Sequence, residues 1–250
     1  MIFTPTDIAC FLYCPMLPKG SEYLVYEKST VFESCVGNAI VEAERGCLLN
    51  DSEINPRMIN KAWDNTWWPV CATHKIPFKK AQDKTVKAGP YFLDYCKYDI
   101  SDFLHPTVAV DIDVQVPVGQ SVLHAHVDLM KVDLTVSNKN MMLIDFSKKG
   151  MKTFDAGLDP GIAATAMAFH RGVKETIQYV LVEVDENTEK LFVTSAVFRP
   201  SDIENIKKMI SYVENSMRNG VSYGNRWKCK ECKACPSFKY LMKEDSLLRQ

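Results

Sequence analysis

The chain has 250 residues, of which 46% are hydrophobic and 24% charged, and its net charge is −1. That balance belongs to a globular protein with a real core and excludes a disordered or fibrous chain. It also excludes a global positive field, so any contact with nucleic acid must rest on a local patch. No stretch reaches the roughly 20 apolar residues that a membrane helix needs. The opening MIFTPTDIACFLYCP is acidic rather than basic and has no small-residue cleavage site, so it does not read as a signal peptide. The expected location is cytoplasmic, with no membrane partner.

The first third reads as helical. Thr6 or Thr4 caps a short helix that runs to Tyr13, and Pro15 stops it. Residues 31–47 carry Val31, Cys35, Val36, Ala39, Ile40 and Ala43 at helical spacing, with Gly46 near the end. Residues 52–68 and 78–104 form further helices, and Gly89-Pro90 is expected to break or kink the second. Trp63, Trp67 and Trp68 share a helical stripe, which fits core packing or a base-stacking platform.

The period then changes. In 107–117, Val110, Ile112, Val114 and Val116 alternate with Asp111, Asp113 and Gln115; in 121–133, Leu123, Ala125, Val127 and Leu129 alternate with His124, His126 and Asp128. A turn near Ser137–Asn140 leads to a third strand over 141–146, so a meander with one apolar face is predicted. A helix over 159–171 follows, with Asp159 as N-cap and Pro160 first in the helix. Strands over 176–184 and 190–198 come next. A helix over 201–218 is capped by Ser201 with Glu204.

Asp111, Asp113, Asp128 and Asp145 fall on the polar side of their strands. Neighbouring strands would bring them together, and converging carboxylates raise one another's pKa unless a cation lies among them. Hard divalent ions want such oxygen ligands. A solvated outer sheet face is the plainer alternative.

Cys35, Cys47, Cys71 and Cys96 are scattered through apolar or helical surroundings and read as buried small hydrophobes. Cys10, Cys14, Cys229, Cys232 and Cys235 form two short groups at opposite ends of the chain. Without an export signal, free thiols or metal ligands are favoured over disulfides. A C-x3-C group facing a C-x2-C group suits tetrahedral zinc. Arg226, Lys228, Lys230, Lys233, Lys239 and Lys243 make the tail locally basic, either a phosphate-holding patch or a solvated charged face.

The segments HVDLM at 126–130 and LIDFSKKG at 143–150 resemble the paired signature of the PD-(D/E)XK nuclease superfamily. TPTDIACFLYCP and WKCKECKACPSF resemble the cysteine-bearing ends of its RecB-like, CRISPR-associated exonuclease-like branch. The resemblance implies an α/β fold: a restriction-endonuclease-like core with a central mixed sheet flanked by helices. It implies one domain over 1–250, with a helical part (1–105), a sheet core (106–200) and a final helix with a cysteine-rich tail (201–250). Asp128 and Asp145 would hold Mg or Mn, with Asp113 or Asp111 matching an acidic position on the preceding strand. Cys14 with Cys229, Cys232 and Cys235 would bind an iron–sulfur cluster, zinc being the alternative, and would join the two ends of the chain.

The chain departs from the family pattern at several positions. The lysine position two residues after Asp145 is Ser147, and the nearest lysine is Lys148. On a regular strand Lys148 points away from Asp145, and only a bulge turns it back; Lys149 has the regular parity. The helix position of the family histidine falls on Ile40 or Val41, for which His124 or His126 could substitute, and the family Gln-x-x-x-Tyr is missing from DPGIAATAMAFHR. The C-terminal spacing is C-x2-C-x2-C where the branch has C-x2-C-x5-C.

The resemblance therefore implies a metal-dependent DNA nuclease of replication, recombination or repair, with Asp128, Asp145 and Lys148 catalytic. Its degenerate motif equally fits an inactive nuclease-fold DNA-binding or scaffold subunit of a DNA-processing or packaging assembly. A third reading is an unrelated zinc-stabilised α/β protein. Divergence from every motif points to a viral source, which would place the chain inside the host cell.

Overall fold

The computed structural model describes residues 1–13, 26–27, 30–101, 106–132, 141–146, 149–151, 158–172, 176–186 and 188–220. In chain order these form β1 (Ile2–Phe3), α1 (Pro5–Tyr13), β2 (Tyr26–Glu27), α2 (Val31–Asn50), α3 (Pro56–Thr73) and α4 (Phe78–Ser101). Then come β3 (Thr107–Val118), β4 (Ser121–Val132), β5 (Met141–Phe146), β6 (Lys149–Met151), α5 (Leu158–Arg171), β7 (Ile177–Asp185), β8 (Lys190–Phe198) and α6 (Pro200–Arg218). Among the described residues no helix is long and apolar enough to cross a membrane.

Helix starts follow local chemistry. Thr4, rather than Thr6, caps α1: its hydroxyl accepts from the Asp7 N–H at 3.2 Å, and Asp7 accepts back from the Thr4 N–H at 2.8 Å. Thr30 and Glu33 make the same reciprocal box at α2, and the Asn55 side chain caps α3. Each such cap satisfies backbone donors the helix itself leaves unpaired. The box at α6 is not Ser201 with Glu204. The helix begins two residues earlier, at Arg199-Pro200, and the Arg199 N–H donates to Asp202 at 2.9 Å. Pro90 does not end α4, which continues through it to Ser101. The packing of Ala88, Tyr91, Phe92 and Tyr95 into the core holds both halves in place.

The sheet is mixed. Its order is β1-β4-β5-β7-β8, with β3 paired to β4. The β3–β4 and β4–β5 pairs are antiparallel, whereas β5–β7 is parallel, as a strand–helix–strand connection through α5 requires. The short β1 runs parallel to β4 beside Val122 and Leu123. A separate antiparallel ribbon joins β2 to β6.

Helices cover both faces of the sheet. On one face α2, α3 and α4 pack against Leu129, Met142, Ile144, Phe146, Val180, Val182 and Val184. Here Trp63 and Trp67 stack at 5.0 Å, and Phe32 meets both edge-on. Their indole N–H groups donate to Thr85 and to the Ala81 carbonyl. These two tryptophans are core, as buried aromatic stripes usually are. On the other face α1, α5 and α6 bury Ile8, Ile162, Met167, Ile210 and Val213 against Val114, Val116, Leu123, Ala125 and Leu143.

The predicted single apolar face of the meander is corrected. Val110 and Leu129 pack with the α2–α4 layer, whereas Ile112 and Val127, same-parity neighbours, pack with the α1–α5–α6 layer. The hairpin changes face between the Val110↔Leu129 and Ile112↔Val127 pairs. Asp111 and Asp128 lie there, and Asp111 has a left-handed backbone, φ 56°. A left-handed residue within a strand redirects the side chains that follow it.

At the far end of that hairpin Gly119 has φ 58°, and a Cβ added there would lie 2.6 Å from Glu214 Oε2. Both facts require glycine at this turn.

Candidate metal centre

The site forms where two strands part. The β4–β5 ladder runs from Val132↔Met141 to Leu129↔Ile144. One step further are Asp128 and Asp145, and there side-chain carboxylates take over from backbone carbonyls as acceptors. The Asp128 N–H donates to Asp145 Oδ1 at 3.0 Å, and the Phe146 N–H donates to Asp128 Oδ2 at 2.6 Å. Backbone donors freed by the divergence are thereby satisfied, and both carboxylates are locked in orientation.

His126 completes the group. Ligand atoms of His126, Asp128 and Asp145 all lie within 4.8 Å of one another. Asp145 is 1% exposed, and the Tyr179 hydroxyl donates to its Oδ2. His126 Nε2 lies 2.9 Å from Asp111 Oδ1, and its Nδ1 lies 3.8 Å from Asp128 Oδ1. Asp111 Oδ2 accepts from Arg45 of α2 at 3.1 Å, and Arg45 also pairs with Glu42.

Electrostatics follow from this crowding. Burial opposes charge on His126. The hydrogen bond to Asp111 and the carboxylates of Asp128, Asp145 and Asp113 together outweigh it, and the imidazole pKa is raised. The hydrogen bond with His126, helped by the charges of His126 and Arg45, holds the Asp111 carboxyl below its ordinary range despite some desolvation.

The group opens into a cleft of about 500 Å³ lined by Asn38, Val41, Glu42 and Arg45 of α2, Asn65 and Thr66 of α3, and Asp111, His126 and Asp128. The donor set fits a divalent cation. Each carboxylate oxygen has two lone pairs, so one accepted hydrogen bond leaves capacity for a metal. Two carboxylates with one imidazole offer oxygen and nitrogen donors to such a cation.

Asp128 and Asp145 of the sequence-derived set are thus brought together. Asp113 is not in this group: its carboxylate lies 3.1 Å from His124 Nε2, on an exposed stretch of the hairpin. Lys148, Cys14, Cys229, Cys232 and Cys235 lie outside the described residues, as does the side chain of Cys10. Cys35, Cys47, Cys71 and Cys96 are buried, as their surroundings implied. Sequence reasoning did not single out Arg45 or Tyr179; neither sits in a motif, and only packing carries them to the acids.

A second charged cluster lies between α2 and the sheet. Glu44 and Lys131 are buried, with Lys131 Nζ 3.3 Å from Glu44 Oε1. Tyr95 and Thr107 donate to the same carboxylate at 2.6 and 2.8 Å. This network pins α2, and with it Arg45, onto the strand that carries Asp128.

Comparison with known proteins finds no matching family model and no matching curated protein. Among solved structures, the chain is similar over 78% of its length to 95% of the chain in the crystal structure of SSO0001, at 12% identity and a TM-score of 0.31. It is similar over 87% of its length to 97% of the chain in the crystal structure of LHK-Exo in complex with dAMP, at 11% identity and a TM-score of 0.32. Likenesses this distant leave fold and chemistry to be argued from the chain's own residues.

Proposed function

We propose that this chain is a single PD-(D/E)XK-like domain acting as a metal-dependent DNA nuclease. The observation that carries the reading is the convergence of His126, Asp128 and Asp145 where β4 and β5 separate, beside an open cleft that His126 and Asp128 line. Asp128, Asp145 and His126 would hold Mg²⁺ or Mn²⁺. A cation so held lowers the pKa of bound water and offsets charge on a phosphodiester. The chain's own residues do the positioning. The Asp128 and Phe146 N–H groups and the Tyr179 hydroxyl fix the two carboxylates, while α2 and α3 wall the cleft with Asn38, Asn65 and Thr66.

Lys148 is kept in the proposal as the catalytic lysine. Asp113 is kept as an acid assisting at the metal. Cys14, Cys229, Cys232 and Cys235 are kept as holders of an iron–sulfur cluster, or of zinc. DNA is the proposed partner, within replication, recombination or repair.

One observation favours the second reading, a DNA-binding or scaffold subunit without activity. Among the described residues lining the cleft the only Lys or Arg is Arg45, and it is tied to Glu42 and Asp111. Phosphoryl chemistry depends on charge stabilisation at the reacting group.

The deciding experiment is cleavage of end-labelled single- and double-stranded DNA with Mg²⁺ or Mn²⁺, comparing the full chain with Asp145→Ala. Cleavage by the wild type alone supports the nuclease. If neither protein cleaves while both bind DNA, the enzyme reading fails and the subunit reading stands.

A further inference from the structure

The geometry points to Asp111, braced by Arg45, as the positioning residue that aims His126 at the cation held with Asp128 and Asp145. This rests on the metal-centre reading above.

The argument starts from the two ring nitrogens. Nε2 lies 2.9 Å from Asp111 Oδ1, while Nδ1 lies on the side of Asp128, 3.8 Å from Oδ1. An ionised carboxylate only accepts hydrogen bonds. The neutral imidazole therefore keeps its proton on Nε2, and the Nδ1 lone pair is left toward Asp128 and Asp145. The opposite tautomer would set the Nε2 lone pair against the Asp111 carboxylate. A carboxylate that orients a ligating histidine from behind also makes it a better ligand.

Asp111 acts through His126 rather than as a ligand. Its Oδ1 faces Nε2 of the ring and its Oδ2 accepts from Arg45 at 3.1 Å. It stands outside the group whose ligand atoms converge. The backbone is adapted to this task. Asp111 and Asp128 occupy facing positions between the Val110↔Leu129 and Ile112↔Val127 pairs. Two carboxylates facing each other repel. The left-handed backbone of Asp111, φ 56°, goes with a side chain that instead reaches His126. Aspartate is among the few residues with a Cβ that adopt this conformation readily. Arg45 then sets the carboxylate from α2, so a helix on the sheet's covered face fixes the tautomer of a strand histidine.

The test is Mn²⁺ binding to the full chain, followed by calorimetry and by the electron paramagnetic resonance of free Mn²⁺. Asp111→Gly removes the carboxylate but keeps the left-handed backbone comfortable. Asp111→Asn keeps both that backbone and an acceptor oxygen. Asp111→Gly is expected to weaken Mn²⁺ binding about 10–100-fold, the usual loss for an outer partner of a ligand. Asp111→Asn should fall between wild type and Asp111→Gly, because its amide can present a donor as well as an acceptor to Nε2 and offers Arg45 only one acceptor oxygen in all. Nitrogen-15 shifts of neutral His126 in the metal-free chain should place its proton on Nε2 in wild type and on both nitrogens in Asp111→Gly. Unchanged affinity or an unchanged tautomer in Asp111→Gly overturns the role of Asp111. The two ideas fail separately: if wild type binds Mn²⁺ and Asp145→Ala does not, the metal centre stands whatever Asp111→Gly does. If wild type binds no Mn²⁺, both fall.

Discussion

Replacing Lys131 with methionine would break the most deeply buried ion pair of the described chain while nearly conserving volume. Lys131 and Glu44 are separated by 3.3 Å, with side chains 2% and 4% exposed. At that distance Coulomb's law with an effective dielectric of about 20 gives a gross attraction of about 5 kcal/mol. Desolvation of both groups opposes most of it, so the pair contributes little net stability against an apolar pair of similar size. Removing one partner is different, because the Glu44 charge stays buried with, among the described residues, the Tyr95 and Thr107 hydroxyls to solvate it. Lys131→Met should therefore cost about 3–5 kcal/mol. In a chain of this size each kcal/mol moves Tm by about 2–4 °C, so a fall of roughly 6–20 °C is expected. Glu44→Gln combined with Lys131→Met should recover most of the loss, since glutamine carries no charge and can accept from one hydroxyl while its amide N–H donates to the oxygen of the other. Urea titration and thermal circular dichroism of the two single variants and the double would measure this as a cycle. A cost below about 1 kcal/mol for Lys131→Met, or simple additivity in the double, would refute the reasoning.

Three further outcomes are expected. Gly119→Ala meets both a left-handed φ and the Glu214 carboxylate. It should destabilise by at least the roughly 1–2 kcal/mol of the backbone strain, read in a thermal melt. Trp63→Ala and Trp67→Ala should each cost about 3–5 kcal/mol in urea titration yet leave single-stranded DNA affinity unchanged where the protein is still folded. Loss of DNA binding by stable variants would revive the stacking-platform reading. Burial, with a smaller effect from Cys71, pushes the Cys35 thiol up to about 11. At pH 8 only about one Cys35 in a thousand is ionised, against roughly a quarter of free cysteines. Iodoacetamide should therefore label it hundreds of times more slowly in the folded than in the unfolded chain, read by peptide mapping. Rapid labelling of folded protein would place Cys35 outside the core.

Much of the site was legible because strand chemistry is periodic. Alternation of Asp111, His126 and Asp128 with valines placed them on a polar side before any contact was known. Asp145 stood out by its strand parity and by the resemblance of LIDFSKKG to a family signature. The capping box Thr30–Glu33 was missed by the sequence reading, although its spacing is local. The box at α6 was misplaced because two candidate pairs overlap there, and Pro200 favours the earlier start. Pro90 was overestimated as a breaker because its cost is local, whereas the burial of Tyr91, Phe92 and Tyr95 that outweighs it is not.

By itself, the sequence determined the helices and the five longer strands, though not the short β1, β2 and β6, and which residues are apolar. Those properties are fixed by spacing along the chain. Only the tertiary structure decided that the β3–β4 hairpin changes face at Asp111 and Asp128, so that Val110 and Leu129 join one core while Ile112 and Val127 join the other. It alone parted β4 from β5 beside Asp128 and Asp145, brought Tyr179 to Asp145, and carried Arg45 across to Asp111. Twist and strand divergence depend on what each strand packs against, and a one-dimensional period does not carry that information.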